Sequence, residues 1–196
     1  YIGGVCGENN YATLEGICNT GAVNGDEYIG GVCGYNDEGS IEASYNTGSV
    51  SGSYRVGGVC GYNNDYGRIK ASYSAGSVSG SSEYVGGVCG RNYGTIRDCY
   101  YNSDICTVGA VKLEDVEGKA VGLTTLQMTA PDALATMKFS SEVWEKKPAD
   151  TQQMKAFYPG LTAIEDDEEY ISYEAEIAFK NTNTNTNLVY GDDLTF

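Results

Sequence analysis

The chain has 196 residues, a formal net charge of −15 and no histidine, and its 17 Tyr and 27 Gly outnumber 4 Phe and 1 Trp. Without histidine it lacks the commonest general base and the usual partner of a catalytic Ser or Cys. An acidic chain without a basic stripe is a poor candidate for binding nucleic acid or an anionic membrane surface, because cationic contacts supply most of that affinity. We therefore expect neither partner, no cofactor and no enzymatic activity.

Four near-identical segments that share the sequence Gly-Gly-Val-Cys-Gly occupy the first half of the chain. They begin 27, 27 and 29 residues apart, at 1–7, 28–34, 55–61 and 84–90. A fixed period of this size is typical of repeat proteins, in which each unit buries its apolar face against its neighbours. The chain starts inside a repeat, so we expect it to be a fragment of a longer protein.

The second half of each unit alternates apolar and polar residues, as a half-buried strand does. In the second unit, Ile41, Ala43 and Tyr45 fall on one face of such a strand. Turns at Gly, Asn and Ser leave about three short strands in each unit, which fits one coil of a β-solenoid. We predict an all-β, right-handed β-solenoid of four coils over 1–111, with equivalent residues stacked about 4.8 Å apart.

Stacking predicts four columns of equivalent residues along the solenoid axis. They are Ile2/Ile29/Val56/Val85, Val5/Val32/Val59/Val88, Cys6/Cys33/Cys60/Cys89 and Leu14/Ile41/Ile69/Ile96. The Gly30-Gly31 pair suits a tight corner. In a regular strand Ile29 and Cys33 would point to one face and Val32 to the other. Either both faces of that strand are covered, or a bulge lies between Ile29 and Cys33.

The repeat resembles a known family. It reads Ile-Gly-Gly-Val-Cys-Gly-Tyr-Asn from Ile29 and Val-Gly-Gly-Val-Cys-Gly-Tyr-Asn from Val56. Together with the later Ile-x-x-x-Tyr-x-x-Gly-x-Val segment, this resembles the GLUG-motif repeat of bacterial surface proteins, with Cys where the family usually has a small aliphatic residue. The resemblance covers about 1–111, and parts of 112–161 are similar to the segment that often closes such arrays. It implies a large secreted or surface-displayed bacterial protein, and no established catalytic residues.

Seven cysteines raise the question of a metal or redox site. Zinc sites usually draw on Cys-x-x-Cys pairs, which are absent, and a column of sulfurs is not a tetrahedron. We expect Cys6, Cys33, Cys60 and Cys89 to be buried thiols that act as small apolar side chains, and we expect no metal. Cys99 and Cys106 flank the point where the repeat breaks down, and there a disulfide between them is a candidate.

Residues 112–161 read as a small mixed or helical cap that covers the C-terminal end of the solenoid. Thr129 is the expected N-cap of a helix, with Pro131 in its first turn. We expect Trp144, Phe139, Phe157 and Tyr158 to plug the core end, since an open end would expose strand edges.

Residues 162–196 read as an acidic linker followed by the start of a β module. The charge run at 165–169 is typical of a solvated linker, and calcium binding is the alternative. The end of the chain, from Val189 to Phe196, resembles part of a bacterial immunoglobulin-like module.

Three functions compete on this sequence. The first is a non-catalytic stalk or adhesin segment of a multidomain bacterial protein, extracellular and attached to the cell surface, whose partner is a host or bacterial glycan or protein. The second is a glycan-binding module. Its candidate residues are Tyr35, Asn36, Tyr62, Asn63, Tyr93, Tyr100 and Tyr101. The alternative is that the Tyr-Asn steps are corner residues that stack on one another. The third is a polysaccharide-active β-helix enzyme, which would need paired carboxylates.

Overall fold

The computed structural model describes residues 1–111, 119–149, 155–164 and 170–172. Residues 2–102 wind through four coils of short strands. Coil 1 contains β1 (Ile2–Gly3), β2 (Cys6–Asn10), β3 (Thr13–Glu15), β4 (Cys18–Asn19) and β5 (Val23–Asn24). Coil 2 contains β6 (Glu27–Gly30), β7 (Cys33–Asp37), β8 (Ser40–Glu42), β9 (Tyr45–Asn46) and β10 (Val50–Gly52). Coil 3 contains β11 (Tyr54–Gly57), β12 (Cys60–Asn63), β13 (Arg68–Lys70), β14 (Tyr73–Ser74) and β15 (Val78–Gly80). Coil 4 contains β16 (Val85–Gly86), β17 (Cys89–Asn92), β18 (Thr95–Arg97) and β19 (Cys99–Asn102).

Equivalent strands stack in parallel into five sheets, and this confirms the predicted all-β solenoid. Sheet A is β1-β6-β11-β16, sheet B is β2-β7-β12-β17 and sheet C is β3-β8-β13-β18. Sheet D contains β4-β9-β14-β19 and sheet E contains β5-β10-β15. The predicted columns lie in register, as in the pairings of Ile29 with Val56 and of Ile41 with Ile69. The predicted three strands per coil were too few, because the chain turns more often than its Gly, Asn and Ser residues indicate.

A corner at Gly31 and Val32 explains why both Val32 and its neighbour Cys33 can be buried in the core. The strand ends at Gly30 and the next one begins at Cys33, so Ile29, Val32 and Cys33 all point inward and are fully buried. A Cβ atom on Gly30 would lie 1.9 Å from the carbonyl oxygen of Cys33. Only glycine fits such an approach.

A second corner, between the third and fourth strands of each coil, uses the left-handed backbone region. The same position is Gly16 in coil 1, Ala43 in coil 2, Ala71 in coil 3 and Asp98 in coil 4, with φ values of 65°, 45°, 47° and 50°. Non-glycine residues cost about 1–2 kcal/mol in this conformation. The stacking of neighbouring coils therefore holds three of these corners against a local preference.

A partial fifth coil covers the C-terminal end of the solenoid core. Strand β20 (Ala120–Leu123) pairs in parallel with β19, and the backbone N–H of Val88 donates to the carbonyl of Ala110 at 2.9 Å. Cys106, Ala110 and Ala120 lie buried in the solenoid core. Small side chains thus cover this end, and the predicted aromatic plug of the end was wrong.

The aromatic residues of the cap lie instead on the outer side of sheet D. The rings of Phe139 and Trp144 stack with their centroids 4.5 Å apart, and Trp144 contacts Tyr73 at 5.6 Å. The Tyr73 hydroxyl donates to the carbonyl of Pro159 at 2.7 Å, and Asn102 Nδ2 lies 2.8 Å from the Tyr158 hydroxyl. The cap therefore packs on the flank of the solenoid and forms a second apolar core there.

The described residues from 124 to 172 form two short helices and two pairs of antiparallel strands. They are α1 (Thr125–Thr129), α2 (Ala133–Thr136), β21 (Trp144–Glu145) paired with β23 (Gly160–Leu161), and β22 (Lys155–Phe157) paired with β24 (Tyr170–Ser172). The predicted N-cap was wrong, because Thr129 is the last residue of α1. The predicted helix is α2, whose N-cap is Asp132. Helix α1 was not predicted, and its N-cap Thr124 forms a capping box with Gln127.

Most of the predicted linker and immunoglobulin-like segment falls outside the described residues, including the charge run at 165–169 and everything after Ser172. Within the part that is described, no helix is long and apolar enough to cross a membrane.

Candidate functional site

Asn36 and Asn63, predicted to bind a glycan, form a buried column of amides. Asn9 Nδ2 donates to Asn36 Oδ1 at 2.8 Å, Asn36 Nδ2 to Asn63 Oδ1 at 2.7 Å, and Asn63 Nδ2 to Asn92 Oδ1 at 2.7 Å. Asn36 and Asn63 are fully buried. Their side chains bond to the neighbouring coils and cannot reach a ligand, so this prediction was wrong for both residues.

Tyr100 and Tyr101 are also buried, with 6% of each residue exposed. Tyr100 contacts Phe139 of the cap edge-to-face at 5.7 Å. Tyr101 belongs to the solenoid core, next to Gly87 and Gly122. The prediction that this pair binds a sugar fails because the cap covers one ring and the coil encloses the other.

Tyr35 and Tyr62 lie on the outer side of sheet B and are half-buried. Their rings stack on each other at 5.2 Å, and Tyr1 stacks on Tyr35 at 4.7 Å. Tyr35 therefore lies between two rings, which leaves neither of its faces open to a sugar. Tyr93 contacts Tyr62 edge-to-face at 5.8 Å and is 50% exposed. Of the three residues, Tyr93 offers the most accessible ring.

Two arginines join these tyrosines. The Arg55 guanidinium carbon lies 4.3 Å from the ring centroid of Tyr28 and 4.5 Å from that of Tyr54. Arg91 lies 4.7 Å from the ring centroids of both Tyr84 and Tyr93. We call this connected surface the tyrosine–arginine face. Its members are Tyr1, Tyr28, Tyr35, Tyr54, Tyr62, Tyr84, Tyr93, Arg55 and Arg91.

The two arginines were not among the predicted site residues, although the repeat contains a signal for them. Arg91 pairs in register with Tyr62, and Arg55 precedes Val56 as Tyr28 precedes Ile29. Each arginine thus replaces a tyrosine of the repeat. A charged residue at a position that other coils fill with an aromatic one is a departure that an alignment of the four units displays.

The electrostatics of this face are set by aromatic neighbours and partial burial. Burial raises the pKa of Tyr35 to about 12, and the nearby carboxylate of Asp37 adds to that shift. Burial likewise raises the pKa of Tyr62. These phenols therefore stay protonated at neutral pH and can act as hydrogen-bond donors. Among the described residues, the only ion pair joins Arg97 and Asp98, away from Arg55 and Arg91.

The cysteines lie in the predicted column, at Cys6, Cys33, Cys60 and Cys89. Each thiol donates to a backbone carbonyl two residues ahead, as Cys60 Sγ does to Tyr62 at 3.2 Å. Burial raises the pKa of Cys60 well above its ordinary value, which makes this thiol a weak nucleophile. No group of three or more metal-ligating side chains occurs in the part of the chain that is described.

Cys99 and Cys106, the candidate disulfide, are both buried free thiols in the structure. Cys99 Sγ donates to the carbonyl of Arg97 at 3.3 Å, and Cys106 Sγ lies 3.7 Å from that of Val108. Each thiol thus faces its own backbone acceptor, and no bond joins the two sulfurs.

Comparison with known families identifies the repeats. The model of the GLUG motif matches residues 25–51, 52–79 and 81–105. The matched segments are three consecutive coils of the solenoid, which are therefore GLUG-motif repeats, a kind of module found in surface or secreted proteins. No curated protein and no solved structure gave a significant match to the chain.

Proposed function

We propose that this chain is a non-catalytic structural segment, a stalk or adhesin segment, of a multidomain bacterial protein displayed on the cell surface. The observation that carries the proposal is the stacking of coils, in which the strands of all five solenoid sheets pair in parallel from one repeat to the next. Such a stack transmits load along its axis, because each coil is hydrogen-bonded and packed to its neighbours.

The buried amide column adds to this rigidity. Asn9, Asn36, Asn63 and Asn92 cross-link four successive coils through hydrogen bonds of 2.7–2.8 Å. A buried amide that loses its partner is destabilising by about 1–3 kcal/mol, so the coils resist sliding or separating at this column. A spacer that presents a binding surface away from the cell needs this property.

An enzymatic role has less support. Glu15 and Glu42, the carboxylates that recur in the repeat, pair side by side on sheet C, where Lys70 and Arg97 continue the same column. The buried residues of these strands are the intervening Ile41 and Ile69, so the charged side chains project from an outer sheet face. Glycosidases place their carboxylates on either side of a bound sugar, which a column on one surface does not provide.

Single-molecule pulling tests the stalk proposal. The chain, placed between two reference domains and pulled from its ends, should unfold the segment from Ile2 to Leu123 in one cooperative event. That event should release roughly 40 nm of contour length, at about 3.6 Å per residue. A series of small extensions at low force would contradict a load-bearing stack. In parallel, production of reducing ends from a panel of polysaccharides would contradict the non-catalytic assignment.

A further inference from the structure

Arg55 has no anionic partner among the residues that the structure describes. Its Nε atom is buried and has no hydrogen-bond partner among the described residues. The rings of Tyr28, Tyr54 and Tyr62 lie around the guanidinium, with their centroids at 4.3, 4.5 and 5.3 Å. Aromatic faces stabilise the charge of a guanidinium, but they do not accept hydrogen bonds from its N–H groups as a carboxylate does. The guanidinium is therefore held in place by aromatic rings, and its Nε–H donor lacks an acceptor.

Arg91 provides a second cation on the same surface. It lies against Tyr84 and Tyr93 and donates to the Tyr93 hydroxyl. Ring contacts connect the two arginine sites, because Tyr54 meets Tyr84 at 5.2 Å and Tyr62 meets Tyr93 at 5.8 Å. The two guanidinium groups are thus parts of one connected aromatic surface.

The chemistry of this surface selects the class of ligand. A guanidinium binds carboxylate, sulfate or phosphate groups through paired N–H bonds. The surrounding groups are phenol rings and hydroxyls, and the Tyr93 ring is 50% exposed, so it is open to contact with the apolar face of a sugar. With a net charge of −15, the chain as a whole repels polyanions, and Glu83 next to Tyr84 adds to that repulsion. Any anion that binds must therefore be held by the arginines themselves.

We propose that Arg55 and its three tyrosines, with Arg91 as a second contact, bind the carboxylate or sulfate groups of an acidic polysaccharide. One acidic group lies at the solvent-facing edge of the guanidinium of Arg55, a half-buried residue whose inner Nε–H has no acceptor among the described residues. A neighbouring sugar packs against Tyr93 next to Arg91. This inference goes beyond the stalk proposal and does not depend on it, since a segment that bears load need not bind a glycan.

The repeat itself supplies variants that preserve the fold. Arg55→Tyr introduces the residue that coil 2 has at the equivalent position, where Tyr28 and Arg55 share the same backbone conformation, with φ of 56° and 57°. Arg91→Tyr restores the residue with which Arg91 pairs, Tyr62. Arg68→Ser is the matched control, because it removes one positive charge from an exposed position on sheet C and introduces the residue of its partner, Ser40.

Binding is measured with the whole chain by biolayer interferometry, with dextran sulfate and polygalacturonate as probes and neutral dextran and polyglutamate as controls. We expect binding to both acidic polysaccharides and none to dextran. Arg55→Tyr should weaken binding about tenfold or more, in line with the loss of a charged hydrogen bond, and Arg68→Ser should change it less than about twofold.

Three results would overturn the proposal. One is the absence of binding to either acidic polysaccharide. The second is an equal loss with Arg68→Ser, which would mean that net charge alone controls binding. The third is equally tight, Arg55-dependent binding of polyglutamate, which would make the site a receptor for acidic peptides. Circular dichroism confirms that each variant is folded. If Arg55→Tyr does not fold, Arg55→Lys, which keeps the charge and removes the paired donors, should also weaken binding. The pulling experiment above is unaffected by any of these outcomes.

Discussion

The buried amide column makes a sharp prediction at Asn63. Its side chain accepts a hydrogen bond from Asn36 Nδ2 at 2.7 Å and donates to Asn92 Oδ1 at 2.7 Å and to the Gly67 carbonyl at 3.2 Å. Asn63→Ala removes all three bonds inside a fully buried site. At about 1 kcal/mol for each bond, the free energy of unfolding should fall by about 3 kcal/mol.

Asn92→Ala is the matched comparison. Asn92 ends the column, is half-buried, and makes two bonds, one from Asn63 and one to the Gly94 carbonyl at 3.0 Å. In Asn92→Ala, water can take the place of some of the lost hydrogen bonds to Asn63 and Gly94. We therefore expect a decrease of only about 1 kcal/mol in the free energy of unfolding.

Urea unfolding measures both variants with two signals. Far-ultraviolet circular dichroism follows the coils, and the fluorescence of Trp144, the one tryptophan of the chain, follows the packing of the cap on sheet D. Coincident transitions would support a single cooperative unit. Equal losses for Asn63→Ala and Asn92→Ala would refute the reasoning, because position in the column would then have no effect on stability.

Two further predictions concern backbone and pH. Gly16 has a φ of 65° and open space where a Cβ would lie, so Gly16→Ala should be destabilising by about 1 kcal/mol for conformational reasons alone. Asp98→Gly, at the equivalent corner, should be stabilising by a similar amount. Urea midpoints that move in the opposite directions would contradict this. Burial raises the pKa of Tyr35 and Tyr100 to about 12, above the ordinary value of about 10. As the pH rises, these two phenols therefore lose their protons in the unfolded chain before they do so in the folded chain. Their contribution to the free energy of unfolding is complete below about pH 10 and is lost as the pH rises towards 12. Absorbance at 295 nm should show that a fraction of the phenolates forms only as the circular dichroism signal disappears, and ionisation of all 17 Tyr near pH 10 in a folded chain would be the contrary result.

The columns of the solenoid could be predicted because identical residues recur at a fixed spacing. Once Ile29 and Val56 are equivalent, stacking alone puts them in register. The number of strands could not be predicted in the same way. The left-handed corners at Ala43 and Ala71 use a residue that rarely adopts that conformation, so nothing in the local sequence marks a turn there.

The helix predicted after Thr129 is α2, which begins later, at Ala133, with Asp132 as its N-cap. Thr129 precedes Pro131, a pattern typical of a helix start, but Thr124 and Gln127 have the spacing of a capping box. The capping box forms two reciprocal hydrogen bonds, whereas Asp132, which precedes α2, makes no side-chain capping bond. A search for the capping box would have found α1, the helix that was not predicted.

Which tyrosines are accessible depends on where the cap packs, and a repeat pattern does not contain that information. Tyr73 and Tyr35 both point out of the solenoid, yet the cap covers Tyr73 and leaves Tyr35 on the tyrosine–arginine face. A ligand that bound only through aromatic contacts would find similar positions along several coils of that face. Arg55 and Arg91 lie in coils 3 and 4, towards the C-terminal end of the solenoid. At the equivalent positions coil 2 has Tyr28 and Tyr35, and coil 1 has Tyr1 and Glu8. A ligand held by the arginines therefore binds in one register, so its position along the solenoid is fixed by two departures from the repeat.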